Sequence, residues 1–271
     1  MLSFVAPRSL GELAAVLTAE SGCWMISGGT DRLIAPAALP RSGVILDLSR
    51  LAGLDRIALA EGRLALGAGV TVARLANDAL VARHAPVLRQ AARVFGSVQI
   101  RNRATIGGNV ANGSAAADLT PALMAAGAEV RLWRAGNEQA LPLAGLLSRS
   151  PVLEPGEVIL GFDLPLSEGP PLGGFAKLGQ RREPAISRLT LAAAGEAGAL
   201  RLFAGAIGPV PRRLTEAERL LNAGDPGFAE AVCRAVLAAN PGRASARHKA
   251  LAARGLALDL IAQTTVHEAR P

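Results

Sequence analysis

The order of apolar and polar side chains along the 271 residues predicts a helix close to the N-terminus. Ser9 is followed three positions later by Glu12, a pair that is typical of a capped helix start. Leu10, Leu13 and Leu17 continue at the spacing that places apolar side chains on one helix face. We therefore expect a helix that begins directly after Ser9.

Short apolar runs on both sides of a glycine-containing loop predict strands. Cys23–Ile26 runs directly into the loop Ser27–Asp31, and Val44–Leu48 is the next apolar run. Runs of this length between turn residues are typical of strands. The opening of the chain is therefore predicted to be a mixed α/β unit, with the glycine loop between two strands.

Beyond residue 55 the pattern predicts a hairpin, several helices and further strands. In chain order we predict strands at 57–59 and 64–66 around a Glu61-Gly62 turn, helices from Thr71 and over 86–95, a helix after Leu119 that stops at Gly127, a strand at 129–133, further short strands within 139–165, and the best of these at 157–164.

The region Ser167–Gly174, which contains Pro170 and Pro171, is predicted to be a linker. Beyond it the pattern predicts a smaller α+β unit. Its expected elements are strands at 186–194 and 200–207, a helix capped by Thr215 to Glu218, and helices at 227–239 and 244–262.

Composition narrows the class of protein. Half of the residues are hydrophobic, aromatic residues make up only 3%, and there is no Tyr. No run reaches the roughly 18 apolar residues of a membrane-spanning helix. The N-terminus lacks a basic stretch followed by an apolar run, so we expect no secretory signal and a cytoplasmic protein without a membrane span.

The residues that most often bind metals are few and scattered. Cys23 and Cys233 lie 210 positions apart, which predicts neither a disulfide framework nor a four-thiolate cluster. The three histidines, His84, His248 and His267, show no spacing typical of a metal site. We therefore expect no metal to be bound by this chain.

The formal net charge of +7 raises the question of nucleic acid. Its densest arginine pairs are Arg101/Arg103, Arg181/Arg182 and Arg212/Arg213, without the interleaved aromatic residues of a nucleic-acid surface. We expect no nucleic-acid partner. Two explanations stay open: solvated arginines, or attraction to an acidic partner subunit or an anionic ligand.

Two loops carry the candidate chemistry. In Ser27–Asp31 the adjacent glycines let backbone N–H groups converge on an anion, and Thr30 adds a hydroxyl; a tight turn is the alternative. The second segment, Ser97–Asp118, is rich in small and polar residues and too long for an ordinary turn. It is either a flexible surface loop or an ordered functional one, and its apolar Ile106 and Val110 favour order.

Other motifs with known chemistry fail. Gly67-Ala68-Gly69 lacks the third glycine of a dinucleotide fingerprint, and there is no Gly-Lys pair for a P-loop. Ser114 directly follows Gly113, outside any nucleophile elbow. No carboxylate pair suggests hydrolysis, so any chemistry is expected to come from a bound cofactor.

Three segments together resemble one family. Ile26–Asp31, Ile100–Leu123 and Phe175–Ser187, the last with Lys177 followed by Arg181 and Arg182, resemble the FAD-binding medium subunit of the molybdenum hydroxylases, which include xanthine dehydrogenases and aerobic carbon monoxide dehydrogenases. The resemblance covers nearly the whole chain in the same order. It implies an α+β fold: a two-subdomain FAD-binding domain of the vanillyl-alcohol-oxidase (PCMH) type, followed by a smaller α+β C-terminal domain.

The resemblance also implies domain bounds and a cofactor site. The FAD-binding domain would span 1–168, with subdomains of about 1–54 and 55–168, and the C-terminal domain 169–271. The implied FAD contacts are Ser27, Gly28, Gly29, Thr30, Asp31, Phe95, Thr105, Ile106, Gly107, Gly108, Asn109, Asp118, Ile159 and Lys177. Two alternatives stay open for these later residues. Phe95 and Ile159 could be core residues instead of FAD contacts. Lys177 could be a solvated surface charge, or it could favour the anionic reduced flavin.

The resemblance to this family also implies a function. The chain would be an oxidoreductase subunit that passes electrons from 2Fe-2S clusters of a small iron–sulfur subunit through FAD to NAD, a quinone or oxygen. A large subunit would carry the molybdenum cofactor, in a dimer of heterotrimers. A self-contained flavin oxidase and a non-catalytic scaffold are the alternatives. The absence of Tyr departs from members that place one beside the flavin, and no cysteine-rich insertion is present for a further cluster.

Overall fold

The computed structural model describes residues 1–20, 22–34, 39–179, 186–239, 241–242 and 245–265, and three sheets organise them. The first sheet has three parallel strands in the order β1-β3-β2. Its elements are β1 Leu2–Val5, α1 Leu10–Ala19, β2 Trp24–Ile26 and β3 Gly43–Asp47. The predicted helix start is confirmed, since the Ser9 hydroxyl accepts a hydrogen bond from the Glu12 amide at 3.2 Å.

The second sheet is antiparallel, with five strands in the order β4-β5-β8-β6-β7. Its strands are β4 Ile57–Ala60, β5 Arg63–Gly67, β6 Glu129–Arg134, β7 Asn137–Pro142 and β8 Val158–Pro165. Six helices lie between β5 and β6, and a seventh follows β7: α2 Val72–Asn77, α3 Ala79–His84, α4 Pro86–Arg93, α5 Val98–Arg103, α6 Ile106–Ala111, α7 Leu119–Ala125 and α8 Leu143–Leu147.

The third sheet is antiparallel in the order β12-β11-β10-β9 and belongs to the C-terminal half. Its elements are β9 Leu172–Gly179, β10 Ser187–Gly195, β11 Arg201–Gly205, β12 Arg212–Arg213, and the helices α9 Thr215–Asn222, α10 Phe228–Ala239 and α11 Ala246–Thr265.

The third sheet packs against one hydrophobic core on each of its two faces, because successive side chains of a strand point to opposite faces. Phe175, Ala192 and Phe203 pack in the core of the N-terminal half. Ala176 and Leu202, each next to one of these, pack in a second core with α9, α10 and α11. The sheet therefore joins the two halves of the chain face to face.

Two predictions of element type are corrected by the structure. The segment 97–118, expected as an ordered loop, contains α5 and α6. Residues 172–174 of the expected linker belong to β9. Its two glycines allow close packing there: a Cβ on Gly173 would lie 2.7 Å from Val87 N, and one on Gly174 would lie 3.0 Å from Leu260 Cδ1.

The predicted capping box at Thr215 is also wrong. Leu214 precedes the first helical residue and makes no side-chain cap. Glu218 instead accepts from the Arg213 guanidinium, at 2.6 Å and 2.9 Å, and from the Leu202 amide at 2.9 Å. Burial would raise the pKa of Glu218, but these hydrogen bonds and nearby arginine charges outweigh it, so its pKa lies below the ordinary 4.5.

Two features bear on the expected class of protein. None of the helices in the described part of the chain is long and apolar enough to cross a membrane. Within the same residues no three His, Cys, Asp or Glu side chains come together as a metal site, and Cys23 and Cys233 are free thiols.

Candidate functional site

The structure brings the two predicted loops into direct contact. A Cβ added to Gly28 would lie 2.0 Å from the carbonyl oxygen of Arg103 and 3.1 Å from Ala104 Cα. Real Cβ atoms do not approach that closely, so only glycine fits at residue 28. The backbone of the first loop therefore touches the chain directly before Thr105.

The amides of the first loop are available for a ligand. Gly28, Gly29, Thr30 and Asp31 donate none of the hydrogen bonds that the described residues make through their backbone N–H groups. Gly29 has φ of +71°, a conformation that favours glycine, and its carbonyl accepts from Leu33 N at 2.9 Å. Four consecutive unpaired donors form the kind of backbone surface that binds anions.

Residues Thr105–Asn109 of the second loop differ from the first loop, because their amides are already bonded. They form the start of α6, where the Thr105 hydroxyl accepts from Gly108 N at 3.1 Å. Ile106 N donates to Val70 O at 3.0 Å, and Asn109 N donates to Thr105 O at 3.0 Å. These bonds fix the loop against the turn that follows β5, and they leave its side chains, rather than its amides, for a ligand.

Gly107 explains the close packing of α6 on that turn. Its amide donates to Ala68 O at 2.8 Å, and an added Cβ would lie 2.6 Å from Ala68 Cβ. Gly107 thus serves a helix-to-turn contact, whereas Gly108 lies against the Thr105 hydroxyl. This is a structural role beside the ligand contact that the sequence led us to expect.

One polar atom of the second loop lacks a partner. Asn109 Oδ1 is buried, and no group in the described part of the chain hydrogen-bonds to it. A buried amide oxygen without a partner costs roughly 1–3 kcal/mol. A bound ligand that donates a hydrogen bond would satisfy such an atom.

Asp118 and Lys177, which the sequence placed in the site separately, contact each other. Lys177 Nζ lies 2.6 Å from Asp118 Oδ2, and their side chains are only 9% and 6% exposed. Lys177 also donates to Val94 O at 3.3 Å, and the Ser187 hydroxyl donates to Asp118 Oδ1. Asp118 therefore balances the charge of Lys177, and a buried pair of this kind depends on both partners.

The remaining predicted residues take other positions. Phe95 is half-buried just after α4, where its carbonyl oxygen accepts from Arg101 Nη1 at 3.0 Å. Ile159 is 5% exposed and pairs with Leu132 between β8 and β6, so its side chain is part of the core. Arg181 and Arg182 lie outside the described residues.

One cavity has a described lining that contains no residue of either loop. It has a volume of about 460 Å³, and its described lining is Leu178, Gly179, Arg188 and His248. None of the predicted contact residues is in that lining. We place the site by its unpaired amides and buried partnerless oxygen, because these groups have chemistry to offer a ligand, whereas cavity size alone has none.

Two contributing residues were missed in the sequence. Ser187 bonds Asp118, although it only closes the third motif. Gln90 bonds the backbone of β9 from a distance of more than eighty positions in the chain. No local pattern marks either, because each acts on a residue far away in the sequence.

A family model and several known proteins that are similar to this chain all indicate the same family. Residues 1–167 match the family described as FAD binding domain in molybdopterin dehydrogenase. The chain is 30% identical over 220 residues to the 6-hydroxypseudooxynicotine dehydrogenase complex subunit alpha of Paenarthrobacter nicotinovorans, covering 78% of this chain and 74% of that one. It is 30% identical over 227 residues to the xanthine dehydrogenase FAD-binding subunit of Escherichia coli O157:H7, covering 80% and 78%.

A solved structure shows the same fold. A chain of the carbon monoxide dehydrogenase from Hydrogenophaga pseudoflava, in a form that lacks the Mo-pyranopterin moiety, superposes with a TM-score of 0.85 at 21% identity. The match covers 97% of this chain and 96% of that one. At this identity the similarity concerns the fold alone.

Proposed function

The chain belongs to the family of the FAD binding domain in molybdopterin dehydrogenase, and we propose that it holds FAD between Ser27–Asp31 and Thr105–Asn109. In this proposal it passes electrons from the iron–sulfur clusters of a partner subunit to NAD, a quinone or oxygen. The family match confirms the family predicted from the sequence, and the solved structure confirms the predicted mixed α/β flavoprotein fold. The individual contacts and the electron route are our proposal.

The residues of the site fit FAD. The observation that carries the proposal is the set of unpaired amides from Gly28 to Asp31, which suits the negative charge of a diphosphate. Asn109 Oδ1 adds a buried acceptor that a ribose hydroxyl would satisfy. Gly28 leaves no side chain between the first loop and the backbone at Arg103, so both loops can contact one ligand.

Bound FAD would supply the redox chemistry. The chain's own residues would bind it, orient it and hold the charges around it. The Thr105 hydroxyl fixes the start of α6 by accepting from Gly108 N. Asp118 and Lys177 would form an ion pair at the edge of the site. Lys177 is held by the Val94 carbonyl, and Asp118 by the Ser187 hydroxyl.

The domain division remains part of the proposal: 1–168 for FAD binding, with subdomains of about 1–54 and 55–168, and 169–271 for the C-terminal domain. It is supported by the three sheets, which occupy 2–47, 57–165 and 172–213 without sharing a strand. Separate hydrophobic cores on the two faces of the third sheet agree with it.

We propose two partner subunits, a large one with the molybdenum cofactor and a small one with the 2Fe-2S clusters, in a dimer of heterotrimers in the cytoplasm. The support is that similar proteins are named as parts of assemblies, such as the nicotine 6-hydroxylase medium subunit of Paenarthrobacter nicotinovorans. The two free thiols, Cys23 and Cys233, suit a reducing compartment.

The proposal is tested by purifying the chain together with its partners and measuring its flavin. We expect one FAD per chain, bleached by dithionite and recoloured by at least one of NAD, a quinone or oxygen. An assembly that takes up no FAD would overturn the proposed cofactor site. Bound FAD that none of the three acceptors reoxidises would overturn the proposed electron route.

A further inference from the structure

The outer edge of β9 is bonded by a side chain from α4. Gln90 Nε2 donates to Gly173 O at 2.8 Å, and Gln90 Oε1 accepts from Phe175 N at 2.9 Å. One amide group thus joins the carbonyl of one residue and the N–H two residues later. A single residue of a neighbouring parallel strand would make the same pair of bonds.

The position of these bonds determines what else lies on that side of the strand. Gly173, Phe175 and Lys177 pair with β10 at alternate positions, so the side chains of Phe175 and Lys177 lie on the face of the sheet to which a Cβ on Gly173 would point. This is the face that packs on the N-terminal half, where Phe175 is buried. The hydrogen bond from Phe175 N to Gln90 therefore lies two residues before Lys177 in β9.

The same helix end contacts Lys177 itself. Lys177 Nζ donates to Val94 O at 3.3 Å, one helical turn after Gln90, and lies 2.6 Å from Asp118 Oδ2. Close packing of Gly173 on Val87 N fixes the separation between α4 and β9. The two Gln90 bonds fix the register, meaning which residues of β9 lie opposite α4.

We propose that Gln90 is a positioning residue of the FAD site, which sets the register of β9 and thereby holds Lys177 against Asp118. This inference rests on the proposed function, because Lys177 and Asp118 matter to FAD only if the cofactor occupies that site. Gln90 itself touches the strand rather than the cofactor site residues.

Two substitutions separate the parts of this interaction. Gln90→Met keeps the length of the side chain and removes both bonds. Gln90→Glu keeps the acceptor for Phe175 N but replaces the donor to Gly173 O with an oxygen, which repels that carbonyl. Both variants of the full chain, purified with its partners, are expected to bind FAD about tenfold more weakly.

A double-mutant cycle shows whether Gln90 acts through Lys177. In a Lys177→Met background, Gln90→Met is expected to change the FAD dissociation constant by less than about twofold, because the group it positions is gone. An equal loss of affinity in both backgrounds would overturn the proposal. So would wild-type FAD affinity in both Gln90 variants.

A readout without cofactor keeps the test independent of the proposed function. Hydrogen exchange of the β9 amides in the flavin-free protein should accelerate in Gln90→Met, most at Phe175, whose amide otherwise donates to Gln263 Oε1 at the longer distance of 3.3 Å. Unchanged exchange would refute the register role whether or not FAD binds. Gln139→Met, on the exposed strand β7, is the control and should leave both measurements unchanged. Failure of the wild type to bind FAD would count against the proposed function alone.

Discussion

Replacing Gly28 by alanine puts a methyl group into the contact between the two loops. The new Cβ would lie 2.0 Å from Arg103 O and 2.8 Å from the carbon of the same carbonyl. Both are backbone atoms, and they cannot rotate away as a side chain can. Because the backbone of Gly28 has no positive φ, the substitution tests this contact and not the conformation of the turn.

The size of the effect follows from the required separation. Ordinary contact begins near 3.4 Å, so the loops must part by about 3.4 − 2.0 = 1.4 Å at this point. Overpacking of this kind costs about 1–3 kcal/mol. If FAD is held by both loops, most of that cost falls on binding, and its affinity should drop by about 10- to 100-fold.

The assay is an equilibrium titration of FAD, followed by quenching of flavin fluorescence, on the chain with its partners. Gly255→Ala provides the matched control, since a Cβ on Gly255 in α11 would meet nothing within 4 Å. It should leave FAD affinity unchanged and stabilise the helix by about 0.5–1 kcal/mol. Wild-type affinity in Gly28→Ala would show that the touching loops do not form a single FAD site.

Three further predictions concern stability, each measured as the free energy of unfolding in urea. Asp118→Asn should destabilise the chain by about 3–5 kcal/mol because it leaves Lys177 buried without its counter-charge, and a loss under 1 kcal/mol would argue against a buried pair. Gly107→Ala places a methyl group 2.6 Å from a neighbouring Cβ and should cost about 1–3 kcal/mol; a neutral result would show that α6 can move freely. Because the pKa of Glu218 is lowered in the fold, its stabilisation is present above its ordinary 4.5 and lost as pH falls through the folded pKa. Glu218→Gln should therefore differ from wild type most above pH 4.5 and least in acid, and a difference independent of pH would contradict this.

The sequence predicted the places where backbone geometry is local. The Ser9 cap, the strand before Ser27 and the helix stop at Gly127, whose φ is +72°, all depend on residues within a few positions of one another. The first glycine loop likewise follows its strand directly, whereas the second glycine segment is the start of α6. Their contact at Gly28 was not predictable, because it joins segments about 75 positions apart.

The helices α5 and α6 show why propensity failed in the second loop. Glycine and asparagine are poor helix formers, and their frequency in Ser97–Asp118 suggested a loop. Side-chain caps at Ser97 and Thr105 and the burial of Ile106 and Val110 stabilise the helices instead. A cap followed by buried apolar residues is present in the sequence, but the surrounding small residues obscured it.

At Thr215 and Gln90 the decisive partners are distant. Thr215 and Glu218 have the spacing of a capping box, yet an arginine and a strand amide bind the carboxylate in preference to the helix start. Gln90 has no recognisable motif, and its two partners lie in β9. Interactions of this kind become visible only when the elements are packed together.

Hydrogen exchange of the backbone amides, measured with and without FAD, shows whether one FAD is bound by both loops. In the flavin-free chain the amides of Gly28 to Asp31 donate no hydrogen bond within the described residues, whereas those of Ile106 to Asn109 do. FAD should therefore slow exchange strongly in the first loop and little in the second. Bound FAD that leaves exchange at Gly28 to Asp31 unchanged would contradict FAD binding by the first loop.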